Sequence, residues 1–203
     1  MKRILLLSML AAAVMSCRSG ETNQAGVSFD EVMTSRRSVR DFDASKTVGE
    51  AEIRTLIEAV QDAPSWTNSQ PTRYYAVLSQ EKTESVRNLI PERNRDNTAG
   101  ASAYIVSTFV KGQSGFFRGT QSNEIGEGWG AYDNGLSNAY LILKARAMGY
   151  DTLIMGARDA DGLRALLGIH EDETVMAVIA LGYRASEPAR PARKPLDEIL
   201  KIF

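Results

Sequence analysis

One cysteine and one histidine in 203 residues leave little for unaided side-chain chemistry. Disulfide frameworks, cysteine-rich zinc sites, iron–sulfur clusters and redox CxxC pairs all need more than one cysteine, so none is expected, and no metal site is expected either. A lone histidine leaves at most one for any catalytic triad. Charge of one sign is also missing. The 24 basic and 25 acidic residues sum to −1, so the chain lacks the positive field that nucleic-acid binding requires, and DNA and RNA are not expected partners. The rest of the composition is ordinary, at 43% hydrophobic and 24% charged with 16 Gly and 6 Pro. That excludes disorder, collagen and coiled coil, and suffices for one cored domain.

The N-terminus is a separate matter. Lys2 and Arg3 precede an apolar run from Ile4 to Val14, and the small residue Ser16 stands before Cys17. The run is too short to span a bilayer permanently and has the layout of a secretory signal. Val14-Met15-Ser16-Cys17 resembles a bacterial lipobox, in which the cysteine is lipidated and begins the mature chain. The expected division is a lipoprotein signal peptide over residues 1–16, a lipidated Cys17 and polar tether over 17–27, and one domain over 28–203. The expected location is then the membrane of a bacterial cell envelope, held only by the lipid, or the cytoplasm if the lipobox does not function.

From Ser28 onward helical and strand patterns alternate with no second linker and no repeat. Ser28 with Glu31, and Thr47 with Glu50, are spaced as capping boxes. Ile53, Leu56, Ile57 and Val60 recur at helical spacing, and Pro64 follows. Tyr74–Leu78, Tyr104–Val110 and Thr152–Met155 read as strands, Glu81–Leu89 as a helix, and Thr174–Leu181 as a strand buried on both faces. Residues 111–130 read as a loop or lid. A long helix is expected over Tyr132–Met148, with Leu136, Ala139, Tyr140, Leu143 and Ala147 on its apolar stripe and Gly149 at its end, and a capped helix over Asp159–Leu167 closed by Gly168. The class is α+β or α/β.

With so few reactive side chains, a cofactor is the natural source of chemistry. No Walker A loop is present. Gly126, Gly128 and Ala131 match the dinucleotide fingerprint spacing and Asp151 lies about 20 residues on, as a ribose-binding acid should, but residues 118–125 are polar where that motif needs a strand, and Asp151 precedes its strand instead of ending it. Side chains can hold a phosphate instead. Arg36, Arg37, Ser38 and Arg40 stand together early in the chain, and Arg190, Arg193 and Lys194 near its end. Arginine suits the task because its planar fork makes bidentate, charge-assisted bonds. On charge pattern alone a solvated surface is the simpler account of each cluster.

The pieces between the clusters change that account. Arg36-Arg37-Ser38-Val39-Arg40-Asp41-Phe42, then Ala63-Pro64-Ser65-Trp66-Thr67-Asn68-Ser69-Gln70-Pro71, then Gly149-Tyr150-Asp151-Thr152 and Gly182-Tyr183, and finally Arg193-Lys194-Pro195-Leu196 resemble, in order and spacing, the FMN-dependent nitroreductase family over residues 29–203. The resemblance implies an α+β fold, a central mixed β-sheet flanked by helices, in an intertwined homodimer with two FMN sites at the subunit interface. It implies that Arg36, Arg37, Ser38 and Arg40 hold the FMN phosphate, ribityl chain and pyrimidine edge. Ser65, Asn68 and Gln70 would line the isoalloxazine, often from the partner chain. Met155 and Gly156 would form the turn whose backbone amide meets flavin N5, with Arg193 and Lys194 as further phosphate ligands. The implied reaction is ping-pong: NADH or NADPH gives hydride to the flavin, and an electron-poor aromatic acceptor, a nitroaromatic or quinone, takes it up. No side chain would be catalytic in its own right.

Several residues keep two readings. Trp66 either packs on the flavin or covers the core edge, and Phe116 and Phe117 either roof a substrate pocket or anchor an interface. Trp129, Tyr132 and Tyr140 read as core or interface, and His170 as a solvent-exposed loop residue. Arg40 is the candidate to stabilise an anionic reduced flavin. The alternative function is a lipid-anchored protein that binds flavin or another aromatic ligand without NAD(P)H turnover; an exported form would also meet scarce NAD(P)H, which points to a membrane-associated donor in place of the usual one.

Overall fold

The computed structural model describes residues 27–203; the signal-peptide, Cys17 and most of the tether expectations lie outside the described residues. Two strands form the spine because almost nothing in them is polar. β2 (Ala103–Val110) and β6 (Glu173–Gly182) pair antiparallel down the middle of a four-stranded sheet, with β1 (Thr72–Val77) outside β2 and β5 (Asp151–Met155) outside β6, in the order β1-β2-β6-β5. All three pairings are antiparallel. The mixed character expected of the sheet is confined to one parallel bridge between Ser38 and Thr152.

Alternation along the central strands splits the core in two. Tyr104, Val106, Val178 and Ala180 face one side, where they meet Val86 of α3 (Gln80–Arg87) and Leu163 of α6 (Ala160–Leu167). Ala103, Ile105, Ile179 and Leu181 face the other, against Ile53, Leu56 and Val60 of α2 (Glu50–Val60) and Leu141 and Ala145 of α5 (Gly128–Ala147). Helices on both faces explain why β6 reads as a continuous apolar run. The short α1 (Phe29–Ser35), α4 (Glu92–Asn97) and α7 (Leu196–Ile199) complete the described helices.

Local chemistry sets the helix ends. The Ser28 hydroxyl accepts from Glu31 N–H at 3.2 Å, and Asp159 accepts from Gly162 N–H at 2.9 Å. Gly168 closes α6 at φ +65°, the left-handed conformation that glycine adopts without cost. The second expected capping box is displaced by two residues. Gly49, not Thr47, precedes α2, and Glu52 reaches back to Gly49 N–H at 3.0 Å, while Val48 N–H is tied to the Ser102 hydroxyl at 2.6 Å.

The long helix differs from expectation in a way that matters. It starts at Gly128, and its buried face is polar: Asp133, Asn134, Ser137 and Asn138 point inward with Leu141 and Ala145. The expected apolar stripe lies outside, with Leu136, Ala139 and Leu143 only half-buried and Tyr140 and Ala147 exposed. Asn138 explains the inversion. Its amide donates to Asn134 Oδ1 at 2.8 Å and to the Ser107 hydroxyl at 3.1 Å, and accepts from Tyr74 at 3.0 Å, while Asn134 donates to the Thr108 carbonyl at 3.0 Å. Asn134 and Asn138 thus find partners on the sheet, and Asp133 finds them in the Trp66 N–H and the Ser114 hydroxyl, which offsets the cost of burying that face.

Buried tyrosines make the fold sensitive to alkali. Burial, reinforced by Glu173, pushes the Tyr75 hydroxyl up to about 12, and burial, reinforced by Tyr183, does the same to Tyr150; Tyr74 and Tyr104 are raised by burial too. A raised pKa stabilises the fold fully below the unfolded value of about 10 and is lost as pH climbs to the folded value. Stability measured by urea unfolding should therefore fall steadily between pH 10 and 12. Phenylalanine at position 75, where the hydroxyl donates to Glu173 at 2.7 Å, should flatten part of that slope.

Candidate functional site

The early arginine cluster begins where α1 ends. Arg36 is the C-cap of α1, and Arg37 folds back so that its Nη1 donates to the Thr34 carbonyl at 2.7 Å and the Arg36 carbonyl at 2.8 Å. The chain then runs extended along β5, with Val39 N–H donating to the Thr152 carbonyl at 3.1 Å and Val39 itself buried. That register turns Ser38 and Arg40 the opposite way from Val39. Asp43 N–H donates to the Tyr183 carbonyl at 2.8 Å and Ala185 N–H to the Asp41 carbonyl at 2.9 Å, so the segment is tied to the chain leaving β6.

A cleft of about 420 Å³ opens between these two stretches, lined by Arg36, Arg37, Ser38, Arg40 and, from the C-terminal side, Arg193. Its one lining carboxylate, Asp41, accepts from the Ser186 hydroxyl at 2.6 Å. Positive charge is therefore in excess. Burial, then the nearby Arg193 and Arg37 guanidinium groups, push Arg36 below its ordinary value. Arg37 Nε is buried without a hydrogen-bond partner among the described residues. Crowded like charges with an unspent donor are what a multiply charged anion relieves. Lys194 is not in this lining; its Nζ lies 3.6 Å from Glu198.

What pins the cluster was not legible as a site. Asp151, 3% exposed, takes a two-pronged bond from Arg184, Nε to Oδ2 at 2.8 Å and Nη2 to Oδ1 at 2.6 Å. Arg146 stands 3.6 Å from the same carboxylate, donates to the Ser35 hydroxyl at 2.9 Å, and Arg184 also reaches the Ser35 carbonyl at 3.3 Å. The residue before Arg36 is thus fixed by a buried ion network, and Asp151 has no capacity left for a ribose.

The Ser65–Gln70 segment is a strained turn. It contains a single turn of 3₁₀ helix (Trp66–Asn68), and Thr67, Asn68 and Gln70 have φ of +45°, +58° and +48°. Each such residue costs of the order of 1–3 kcal/mol and persists only where surroundings enforce it. Ser65 helps by accepting from Gln70 N–H at 3.0 Å, and Gln70 Nε2 reaches Asn68 Oδ1 at 3.4 Å. Ser65 and Gln70 line a second cleft of about 550 Å³, which shares no lining residue with the arginine cleft. The two groups of residues thus line separate clefts in one chain.

Residues 111–130 contain a small hairpin, β3 (Phe116–Phe117) with β4 (Thr120–Gln121), in place of the expected loop. Gly115 enters it at φ +86°, and a side chain there would run into the Gly126 carbonyl. Phe117 is 63% exposed, while Trp66 stacks on Trp129 with centroids 4.8 Å apart and donates from its indole to the Phe116 carbonyl at 3.3 Å. Met155 is buried at the end of β5, and Gly156 beyond it is exposed. His170 is exposed, 2.6 Å from Asp172 and remote in sequence from both clefts.

Comparison with known proteins gives these clefts a context. The family model described as "Nitroreductase family" matches residues 33–183. A Bacillus subtilis protein named "Putative NAD(P)H nitroreductase YdgI" is 25% identical over 200 residues, spanning 84% of this chain and 95% of its own. A Thermus thermophilus protein named "NADH dehydrogenase" is 26% identical over 187 residues, 81% of this chain and 91% of its own. The crystal structure of a "putative nitroreductase in complex with FMN" from Exiguobacterium sibiricum superposes with a TM-score of 0.76 at 22% identity, covering 87% of this chain and 97% of that one.

Proposed function

The chain belongs to the nitroreductase family, and on that premise we propose that it is an FMN-dependent oxidoreductase carrying electrons from NADH or NADPH to a nitroaromatic, a quinone or a similarly electron-poor acceptor. The observation that carries this reading is the arginine cleft: an excess of guanidinium charge with a buried, unpartnered Nε. Arg36, Arg37 and Arg193 would hold the FMN phosphate, Ser38 the ribityl chain and Arg40 the pyrimidine edge. Bound there, FMN supplies reversible two-electron transfer, with donor and acceptor taking turns in a ping-pong cycle. Ser65, Asn68 and Gln70 would face the ring. The two amides both donate and accept, so they follow a change in ring protonation without titrating. Trp66, Phe116 and Phe117 would border the acceptor's place, and Gly156, with no side chain, leaves the end of β5 open to the ring.

A homodimer belongs to the same proposal, because the two half-sites line separate clefts in one chain. Supporting it are the half-buried to exposed apolar stripe of α5 and the C-terminal Leu196, Ile199, Leu200, Ile202 and Phe203, the last five exposed in the single chain. Apolar surface of that extent marks an interaction face. Light scattering should give twice the chain mass. Lipid anchoring at Cys17 is carried as an expectation of the sequence; labelling with a palmitate analogue, abolished in Cys17→Ser, checks it.

The deciding experiment is to purify residues 18–203, record the visible spectrum, and add NADH and then NADPH without oxygen. A flavin spectrum that bleaches supports the oxidoreductase. One that persists points to a flavin carrier or another donor, and failure to take up added FMN sinks the reading.

A further inference from the structure

A carboxylate in the polar face of α5 reaches toward both loops of the second half-site. Asp133 is 2% exposed. Its Oδ2 accepts from the backbone N–H of Trp66 at 2.9 Å and from the Ser114 hydroxyl at 2.6 Å. Ser114, itself buried, lies 2.9 Å from the Ser69 hydroxyl. One oxygen therefore ties the first residue of the strained turn to the stretch leading into the β3–β4 hairpin, and the hydroxyl relay returns to the far side of the same turn. Trp66 adds the bond to the Phe116 carbonyl and the stack on Trp129.

We infer that Asp133 is a positioning residue, holding the Trp66–Gln70 turn in its strained conformation, with Thr67, Asn68 and Gln70 at positive φ, and locking it to the hairpin as one rigid wall. The inference rests on the proposed FMN site, since Ser65 and Gln70 are the residues the lock would present to the flavin ring. Thr67, Asn68 and Gln70, residues other than glycine held at positive φ on either side of a right-handed Ser69, relax once their anchors go. Bonds to a buried carboxylate are roughly twice as strong as neutral ones, which is why a carboxylate makes an effective anchor. Both bonds converge on a single oxygen, so an amide oxygen in the same place can make them too. The function of the carboxylate is geometric.

The test compares Asp133→Ala and Asp133→Asn with the wild type in two readouts. The first is the near-ultraviolet circular dichroism of the apoprotein, which reports the Trp66–Trp129 stack because these are the chain's 2 tryptophans. The second is FMN affinity by fluorescence quenching, with the visible circular dichroism of the bound flavin. Asp133→Ala should lose the tryptophan signal, weaken FMN roughly tenfold or more, and leave the flavin with a spectrum closer to free FMN. Asp133→Asn should recover most of both. Val86→Ala in α3 is the destabilised control and should alter neither. If Asp133→Ala does not fold, Ser114→Ala removes the relay alone and should move both readouts in the same direction by a smaller amount. Unchanged FMN affinity and tryptophan signal in a destabilised Asp133→Ala, or no rescue by asparagine, overturns the positioning role. If wild-type protein with its near-ultraviolet signal intact takes up no FMN, the FMN reading itself fails, a result distinct from either.

Discussion

Arg36→Ala should retain 10- to 100-fold less FMN than the wild type while its apoprotein unfolds at the same temperature or higher. Hydrogen bonds between a guanidinium and a charged phosphate are worth about 1.5–3 kcal/mol each, and about 1.4 kcal/mol is a factor of ten. The second half of the expectation is the diagnostic one. Arg36 is crowded by Arg193 and Arg37 and depressed by burial as well, so without an anion it is a source of repulsion and its removal relieves the fold. A residue retained for packing would behave oppositely. Arg40, exposed and bonded among the described residues only through Nη1 to the Ser38 carbonyl at 3.2 Å, should act differently again. Arg40→Ala is expected to cost less in FMN affinity and more in the rate at which NADH reduces the bound flavin, because a cation at the ring edge favours the charge that develops on reduction. Equilibrium titration and stopped-flow reduction separate the two. Wild-type FMN retention in Arg36→Ala would remove the arginine cleft from the site.

The largest expected loss of stability belongs to Arg184→Ala. It strips the Asp151 carboxylate, which is 3% exposed, of its two-pronged partner and leaves it Arg146 at 3.6 Å and the backbone N–H of residue 184 at 3.3 Å. Removing one partner of a buried pair costs about 3–5 kcal/mol, and in a chain of this size each kcal/mol is about 2–4 °C of melting temperature, so a drop of about 10 °C is expected in calorimetry. Arg184→Lys should not restore it, since an ammonium cannot reproduce the two-pronged bond. The double variant Arg184→Met with Asp151→Leu should recover much of the loss, because neither charge is then buried alone. Flavin affinity should still fall in the double variant. Arg184 also holds the Ser35 carbonyl at 3.3 Å, and with it the entry to the arginine cluster. Stability and cofactor retention would then part company at a single residue.

Much of this was legible in the chain itself. β-Branched and aromatic content located β2, a continuous apolar run located β6, and the Asp159 cap and Gly168 bounded α6, because these depend on nearest neighbours along the chain. The ordered blocks around Arg36, Ser65 and Arg193 identified the family. Placement across the fold was less accessible. Lys194 neighbours Arg193 in sequence yet pairs with Glu198 outside the cleft. Asp133 and Asn134, with Ser137 and Asn138 four residues on, form a polar stripe whose spacing was available to be read, but polarity alone could not say that it faces inward.

The sequence by itself determined the main helices and strands, the two-sided burial of the central strands and the charge that an anionic cofactor would meet, all consequences of local periodicity and composition. Tertiary structure alone decided which face of α5 is buried, that residues 116–121 form a hairpin, which arginines converge and that the arginine cluster and the Ser65–Gln70 turn line separate clefts. The physical reason is pairing. Polar groups such as Asn138 or Asp151 can be buried only if partners distant in the sequence arrive at hydrogen-bonding distance, and those partners exist only once the chain has folded.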